Sequence, residues 1–220
     1  MVFRGRDQHS TSSGAEQRLP FGQTTLDKTC TGGVPVSGVL SIRVQPGYSE
    51  IQFLHNVIEQ KAKSQKRIIW LHHRMQINPN WLSQASYAGQ SWIVSSSSIS
   101  DSLWACEQSV RSQACCCVVI YLEHIEAKAA RRLQVLAKQY DCLVIMVLTS
   151  QHAREVLPVN VDMTLSVQND QWFAHLHRIS GAWPQQDIPV ANPLPATNGA
   201  IIRAFSLYSE TQTPALHDVS

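Results

Sequence analysis

From residue 38 to residue 148, short apolar runs alternate with stretches whose apolar residues recur at helical spacing. The run that constrains the fold most is Cys115 to Leu122, Cys-Cys-Cys-Val-Val-Ile-Tyr-Leu, which carries no charge and shows no polar alternation. A half-exposed strand alternates apolar and polar residues, whereas a strand buried on both faces does not. Such a strand needs cover on both sides, and helices supply it when strands and helices alternate along the chain. The expected fold is therefore α/β, a mostly parallel sheet with helices on both faces. Gly38 to Gln45, Ile68 to Leu71, Trp92 to Val94 and Leu143 to Leu148 read as the other parallel strands. Ile51 to Lys63 reads as a helix, with Ile51, Leu54, Val57, Ile58 and Ala62 near helical spacing. A second helix carries Leu103, Trp104 and Val110, with Asp101 as its expected cap. A third runs from about Glu126 to Tyr140. It places Ala129, Ala130, Leu133, Leu136, Ala137 and Tyr140 on one face, and gathers Lys128, Arg131, Arg132 and Lys138 on the other. After Ser150, Val161 to Val167 and Trp172 to Ile179 flank Gln168-Asn169-Asp170 like the arms of a hairpin, so the sheet is expected to end in antiparallel strands.

The chain has 220 residues, enough for one substantial domain with tails. Residues 1–18 are polar and read as a flexible tail, 19–183 as the α/β domain, and 184–220 as a proline-broken tail in which Ile201, Ile202, Phe205 and Leu207 suit one short docking strand. A net charge of +2 neither demands nor excludes a nucleic-acid partner. The six cysteines include three in a row, and neighbours on a strand point to opposite faces, so they make a poor disulfide framework. They read as small core residues in a reducing cytosol. No apolar stretch reaches the roughly 18 residues of a membrane span, and Met1 to Arg18 lacks the apolar core of a secretory signal. The expectation is a cytoplasmic chain without membrane contact.

A phosphate-binding loop needs closely spaced glycines, a lysine for the terminal phosphate and a Ser or Thr for Mg²⁺. The loop after the first parallel strand is Gln45-Pro46-Gly47-Tyr48-Ser49-Glu50, with one glycine, and no lysine occurs between Lys28 and Lys61. Glu50 places negative charge where phosphate would sit. This loop has the right place and the wrong chemistry, so no catalytic residue and no cofactor is assigned. Glu123 follows the strand ending at Leu122, where a Mg²⁺-holding carboxylate would stand, and equally where a strand meets solvent. His72-His73-Arg74 follows the strand Ile68 to Leu71 at the sheet end where ligands bind in open α/β folds. It reads as an exposed loop, a partner or phosphate contact, or a poor metal site. His175 and His177 alternate on one strand face as paired surface residues. The cations Lys128, Arg131, Arg132 and Lys138 form either a solvated helix face or a contact for an acidic partner or a nucleic-acid backbone.

Leu19-Pro20-Phe21-Gly22, Leu26-Asp27, Gly32-Gly33-Val34-Pro35 and Gly38-Val39-Leu40 resemble a RecA-type opening. The segment Ser102 to Ser112 (SLWACEQSVRS), Arg131-Arg132-Leu133-Gln134 with Leu136-Ala137, and His177 to Pro184 (HRISGAWP) are similar, in order, to segments of the ImuA/SulA family. Ser180 and Ala182 stand where Arg and Gly are usual there. The resemblance implies a RecA-like fold with a degenerate phosphate loop and no enzymatic activity. It also implies an accessory role in the bacterial response to DNA damage. The opening and the Arg178 to Pro184 segment favour the ImuA branch, which assists error-prone translesion synthesis. Its partners would be an ImuB-like Y-family protein and a DnaE-type polymerase, with RecA and DNA as further contacts. The SulA branch would instead bind FtsZ and block division.

Overall fold

The computed structural model of the protein describes residues 17–45, 50–73, 77, 79–149, 155–169 and 171–192. The strands β1 (Arg18–Leu19) and β2 (Val34–Pro35) pair antiparallel around a short helix, α1 (Thr24–Thr29). Then β3 (Gly38–Arg43), α2 (Glu50–Ala62), β4 (Arg67–His72), α3 (Pro79–Ser83), β5 (Ser91–Ser95), α4 (Ile99–Arg111), β6 (Cys115–Leu122), α5 (Ala127–Gln139) and β7 (Leu143–Leu148) follow in alternation. The strands β8 (Val161–Gln168), β9 (Gln171–Ile179) and β10 (Gln185–Val190) complete the described elements.

The main sheet has the order β10-β9-β8-β3-β7-β6-β4-β5. From β8 to β5 every pairing is parallel, and β9 and β10 add antiparallel strands at one end. All residues of β3, β6 and β7 are buried. One face packs Leu26 of α1, Phe53, Leu54, Val57 and Ile58 of α2, and Leu82 of α3. The other packs Cys106 and Val110 of α4 with Ala130, Leu133, Leu136 and Ala137 of α5. The expectation of a parallel sheet covered on both faces, with a hairpin after residue 160, is met.

The opening segment folds around a carboxylate. Asp27 accepts hydrogen bonds from the backbone N–H groups of Phe21 (2.6 Å), Gly22 (3.0 Å) and Gln23 (3.0 Å). Gly33, at φ +116°, passes so close to Leu19 that a Cβ would collide with its carbonyl oxygen. Arg18 donates to the carbonyls of Cys30, Gly33 and Ser180, so it belongs to the fold, although the sequence placed it in a tail. A second polar node fixes the starts of β3 and β8. The Oε1 of Gln134 accepts from Val39 N (2.9 Å) and Asn160 N (3.0 Å), while its Nε2 donates to Asn160 Oδ1 (2.5 Å).

Three expectations need correction. Ser98, not Asp101, caps α4: its Oγ accepts from Asp101 N at 3.0 Å. Asp101 lies inside the first turn, where its carboxylate accepts from Ser97 Oγ and complements the helix dipole. Trp104 is not a core residue but 66% exposed, because Ser102, Cys106 and Val110 form the buried face of α4. Residues 185–190 are a strand of the sheet, not a tail: with the proline at 189 on an edge strand, the ladder tolerates its missing N–H. Ile201, Ile202, Phe205 and Leu207 lie outside the described residues.

Leu133 is 1% exposed in the α5 contact with the sheet. Leu133→Ala is expected to cost about 2–5 kcal/mol of stability, the usual range for emptying a core leucine site. Urea denaturation measures it, and a loss below about 1 kcal/mol would contradict the packing described.

Candidate functional site

Ligands in open α/β sheets bind beyond the carboxyl ends of the strands, where neighbouring strands send the chain to opposite faces. β3 leads to α2 on one face, while the connection after its neighbour β7 packs Leu157 and Val159 on the other. The crevice between these two exits is the place to look for a bound small molecule. Residues 46–49 and 150–154 lie outside the described residues, so most of the phosphate-loop reading falls outside them too. Glu50, however, is described, and it is buried at the first position of α2. Burial pushes its carboxyl above the ordinary carboxylate range, while its own backbone N–H and the nearby Tyr121 hydroxyl pull the other way. Tyr121 is raised in turn, by burial and then by Glu50. The two groups face one another short of a full hydrogen bond, since Tyr121 Oη has no partner of hydrogen-bonding geometry. Lys61 cannot serve this end of the helix. It lies eleven residues on, about 16 Å along the axis at 1.5 Å per residue, and its Nζ donates to Val36 O at 2.8 Å.

The other candidates separate in space. His72 is half-buried at the end of β4, and its Nδ1 is buried without a hydrogen-bond partner. His73 lies one residue on, with Nδ1 3.1 Å from Ser96 O. Arg74 lies outside the described residues. Among the described residues no group of three His, Cys, Asp or Glu side chains is placed to hold a metal ion. Glu123 is exposed beyond β6. The six cysteines are buried and free. Burial pushes the Cys30 thiol up to about 12, with Asp27 adding to the effect and Arg18 opposing it.

On α5, Lys128, Arg131, Arg132 and Lys138 are all exposed, opposite the buried Ala130, Leu133, Leu136 and Ala137. Arg132 is engaged with α4: its Nε and Nη2 reach Glu107 Oε1 at 2.6 and 2.5 Å. The pair is surface-exposed on the arginine side, and such pairs contribute about 0–1 kcal/mol. Its effect is to tie α4 to α5 and to neutralise part of the basic face. Among the cations stands Val135, 58% exposed, and on the outer side of α4 stands Trp104. The α4–α5 layer thus presents a large aromatic and an aliphatic side chain among cations. Sequence reasoning found the cations and missed Trp104, since a tryptophan at helical spacing reads as core.

A second polar constellation lies on the face of β8 and β9 that bears Asp162. His175 Nε2 is 2.7 Å from Ser166 Oγ, and His177 Nε2 is 2.8 Å from Thr164 Oγ1. Asp187 Oδ1 stands 3.6 Å from His175 Nδ1, which gives the outline of a Ser–His–Asp triad. The hydrogen bonding opposes that chemistry. The Asp187 backbone N–H donates to His175 Nδ1 at 3.3 Å, so Nδ1 accepts and Nε2 carries the proton toward Ser166. A general base needs the other tautomer. Burial lowers the His177 pKa, with Asp162 opposing. These are cross-strand polar pairs: each half-buried histidine meets a hydroxyl of β8, so the two are not the paired surface residues that the alternation suggested. Deeper in, Arg43 and Asp162 form a buried ion pair at 2.5 Å. Arg43 Nη2 also donates to Glu155 O, and Asp162 Oδ2 accepts from Leu157 N, so the pair anchors the segment that leads into β8.

No protein-family model matches the chain, and no curated protein matches it.

Two outcomes follow from the buried ionisable groups. Because the folded pKa of Glu50 is raised, the native state binds its proton more tightly than the unfolded chain. Its contribution is fully present below the ordinary value near 4.5 and is lost as pH rises through the folded pKa. Glu50→Gln is expected to be at least as stable as wild type at pH 7, with the advantage vanishing as pH falls below about 4. Thermal melts across that range check the sign. Asp162→Ala leaves Arg43 charged and buried, and is expected to cost about 3–5 kcal/mol in denaturant titration. Replacing both residues by apolar ones should recover most of that loss.

Proposed function

We propose that the chain is a non-enzymatic accessory protein of the bacterial DNA-damage response. It assists error-prone translesion synthesis through protein–protein contacts, in the cytoplasm. The fold in this reading is RecA-like with a degenerate phosphate loop. The parallel sheet with its first strand in the interior, and the buried Glu50 at the start of α2, support that assignment. A buried carboxylate at this helix end opposes an incoming phosphate. The observation that carries the functional reading is the α4–α5 surface. Trp104, exposed, lies in the same helix layer as Lys128, Arg131, Arg132 and Lys138. Interfaces concentrate their binding energy in buried Trp and Arg side chains, and cations at the rim steer acidic partners. The partners in this reading are an ImuB-like Y-family protein and a DnaE-type polymerase.

Trp104→Ala and the double change Lys128→Glu with Arg131→Glu should leave the melting temperature within a few degrees of wild type. Each should weaken capture of the Y-family protein by roughly tenfold or more. Deletion of the gene should lower damage-induced mutagenesis. Unchanged capture by both variants removes the surface from the reading. Filamentation on overexpression, with the purified protein blocking FtsZ polymerisation and mutagenesis normal in the deletion strain, would assign the chain to division control instead.

A further inference from the structure

The two ends of the main sheet are built differently. β10 is an edge strand broken by a register shift, with exposed Gln185, Gln186 and Asp187 and a proline. Those are the devices that keep an edge from pairing with another chain. β5, at the other end, has none of them. Its residues are Ser91-Trp92-Ile93-Val94-Ser95, and among the described residues β4 is the one strand hydrogen-bonded to it. Trp92, Ile93 and Val94 are 56%, 39% and 37% exposed. The exposure affects both faces: Trp92 and Val94 lie beside Ile69 and Leu71, and Ile93 beside Trp70. Alternate backbone N–H and C=O groups along the outer side of β5 therefore stand ready for a further strand.

We propose that this edge is a homodimer interface, in which β5 of two copies pair antiparallel about a two-fold axis at Ile93. The strand is self-complementary about that residue. The pairing sets Trp92 opposite Val94 twice, Ile93 opposite Ile93, and Ser91 opposite Ser95. Aromatic and β-branched residues facing each other are a favourable cross-strand combination, and a two-fold interface requires this kind of self-match. The charges at the strand ends agree. Arg67 marks the start of β5, its guanidinium 5.1 Å from the Trp92 ring centroid and bonded to Gly89 O. The exposed Asp101 marks the other end, one turn into α4. Antiparallel pairing brings the Arg67 end of each copy to the Asp101 end of the other. No charged residue lies within β5 to oppose the approach. A strand from a different protein would satisfy the backbone groups, but it would not account for the mirror order of side chains or for the opposite charges at the two ends.

Sedimentation velocity of the full chain, from about 1 to 100 μM, reads the association directly, since a short edge-to-edge contact falls in the weak, concentration-dependent class. The expected result is a monomer–dimer equilibrium that Ile93→Lys weakens by roughly tenfold or more, with an unchanged melting temperature. Ile93→Cys supplies a second reading that tolerates failure of the lysine variant to fold. All six native cysteines are buried, so the new thiol at the axis would form an intermolecular disulfide under mild oxidation. Facing Cβ atoms about 4.5–5.5 Å apart lie close to the separation a disulfide bridges. Val135→Cys, exposed on α5, should stay monomeric under the same oxidation. A chain that is monomeric throughout, a dimer that survives Ile93→Lys, or Ile93→Cys and Val135→Cys cross-linking equally would each overturn the proposal. A monomer whose β5 amides become protected only on adding another protein would assign the edge to that partner.

Discussion

Strands β6 and β7 lie side by side in the middle of the sheet, and each of their residues is buried. Water is excluded from both sides of these strands, so each face has to be covered by a separate set of helices. α1, α2 and α3 take one face and α4 and α5 the other. That division makes the chain change faces between α3 and α4, and it puts α2, which follows β3, and Leu157 and Val159, which follow β7, on opposite sides. β3 shares the same burial but carries Ser41 and Arg43. The charge is tolerated because Asp162 of the adjacent β8 meets it, and because Glu155 O accepts a further hydrogen bond from the guanidinium. A buried pair of this kind adds little net stability, but breaking it leaves an uncompensated charge. It therefore fixes where the segment into β8 must lie.

Many residues of the segments that the sequence analysis singled out prove to be structural. Asp27 gathers three backbone N–H groups, and Gly33 permits a close passage beneath Leu19. Gln134 joins β3 to the residue before β8, Glu107 joins α4 to α5, and the Ser180 carbonyl receives Arg18. Segments far apart in sequence thus meet in pairs. Their joint presence speaks for a fold more than for an activity. The residues open to a partner are others: Trp104 and Val135 on the helix layer, and Trp92 to Val94 on the sheet edge. Neither set overlaps the buried polar nodes, so surface changes can alter binding without disturbing the frame.

The histidines show how local geometry limits chemistry. His175 stands between Ser166 and Asp187 in the order of a triad, yet Asp187 Oδ1 is 3.6 Å from Nδ1, and the Asp187 backbone N–H holds the imidazole in the wrong tautomer for a base. Cross-strand placement brought these groups together, and the same strand pairing satisfies them.

The sequence by itself determined the elements. Apolar runs without alternation marked β6 and β7, helical spacing marked α2 and α5, and the turn at Gln168 to Asp170 marked the hairpin, because period and burial are local properties of a chain. It also located the exposed cations of α5, since a charged stripe opposite an apolar one has one stable orientation. What it could not supply were facts about neighbours distant in sequence. The Arg43–Asp162 pair, the Gln134–Asn160 node and the Arg132–Glu107 bridge each join residues at least 25 positions apart. Trp104 reads as core in any helical pattern, and only the packing of α4, which buries Ser102, Cys106 and Val110, turns it outward. Trp92 to Val94 reads as one more parallel strand, and only the strand order, which leaves β5 with a single neighbour among the described residues, exposes it. Pattern decides what a segment becomes; which of its faces meets water depends on what the rest of the chain places beside it.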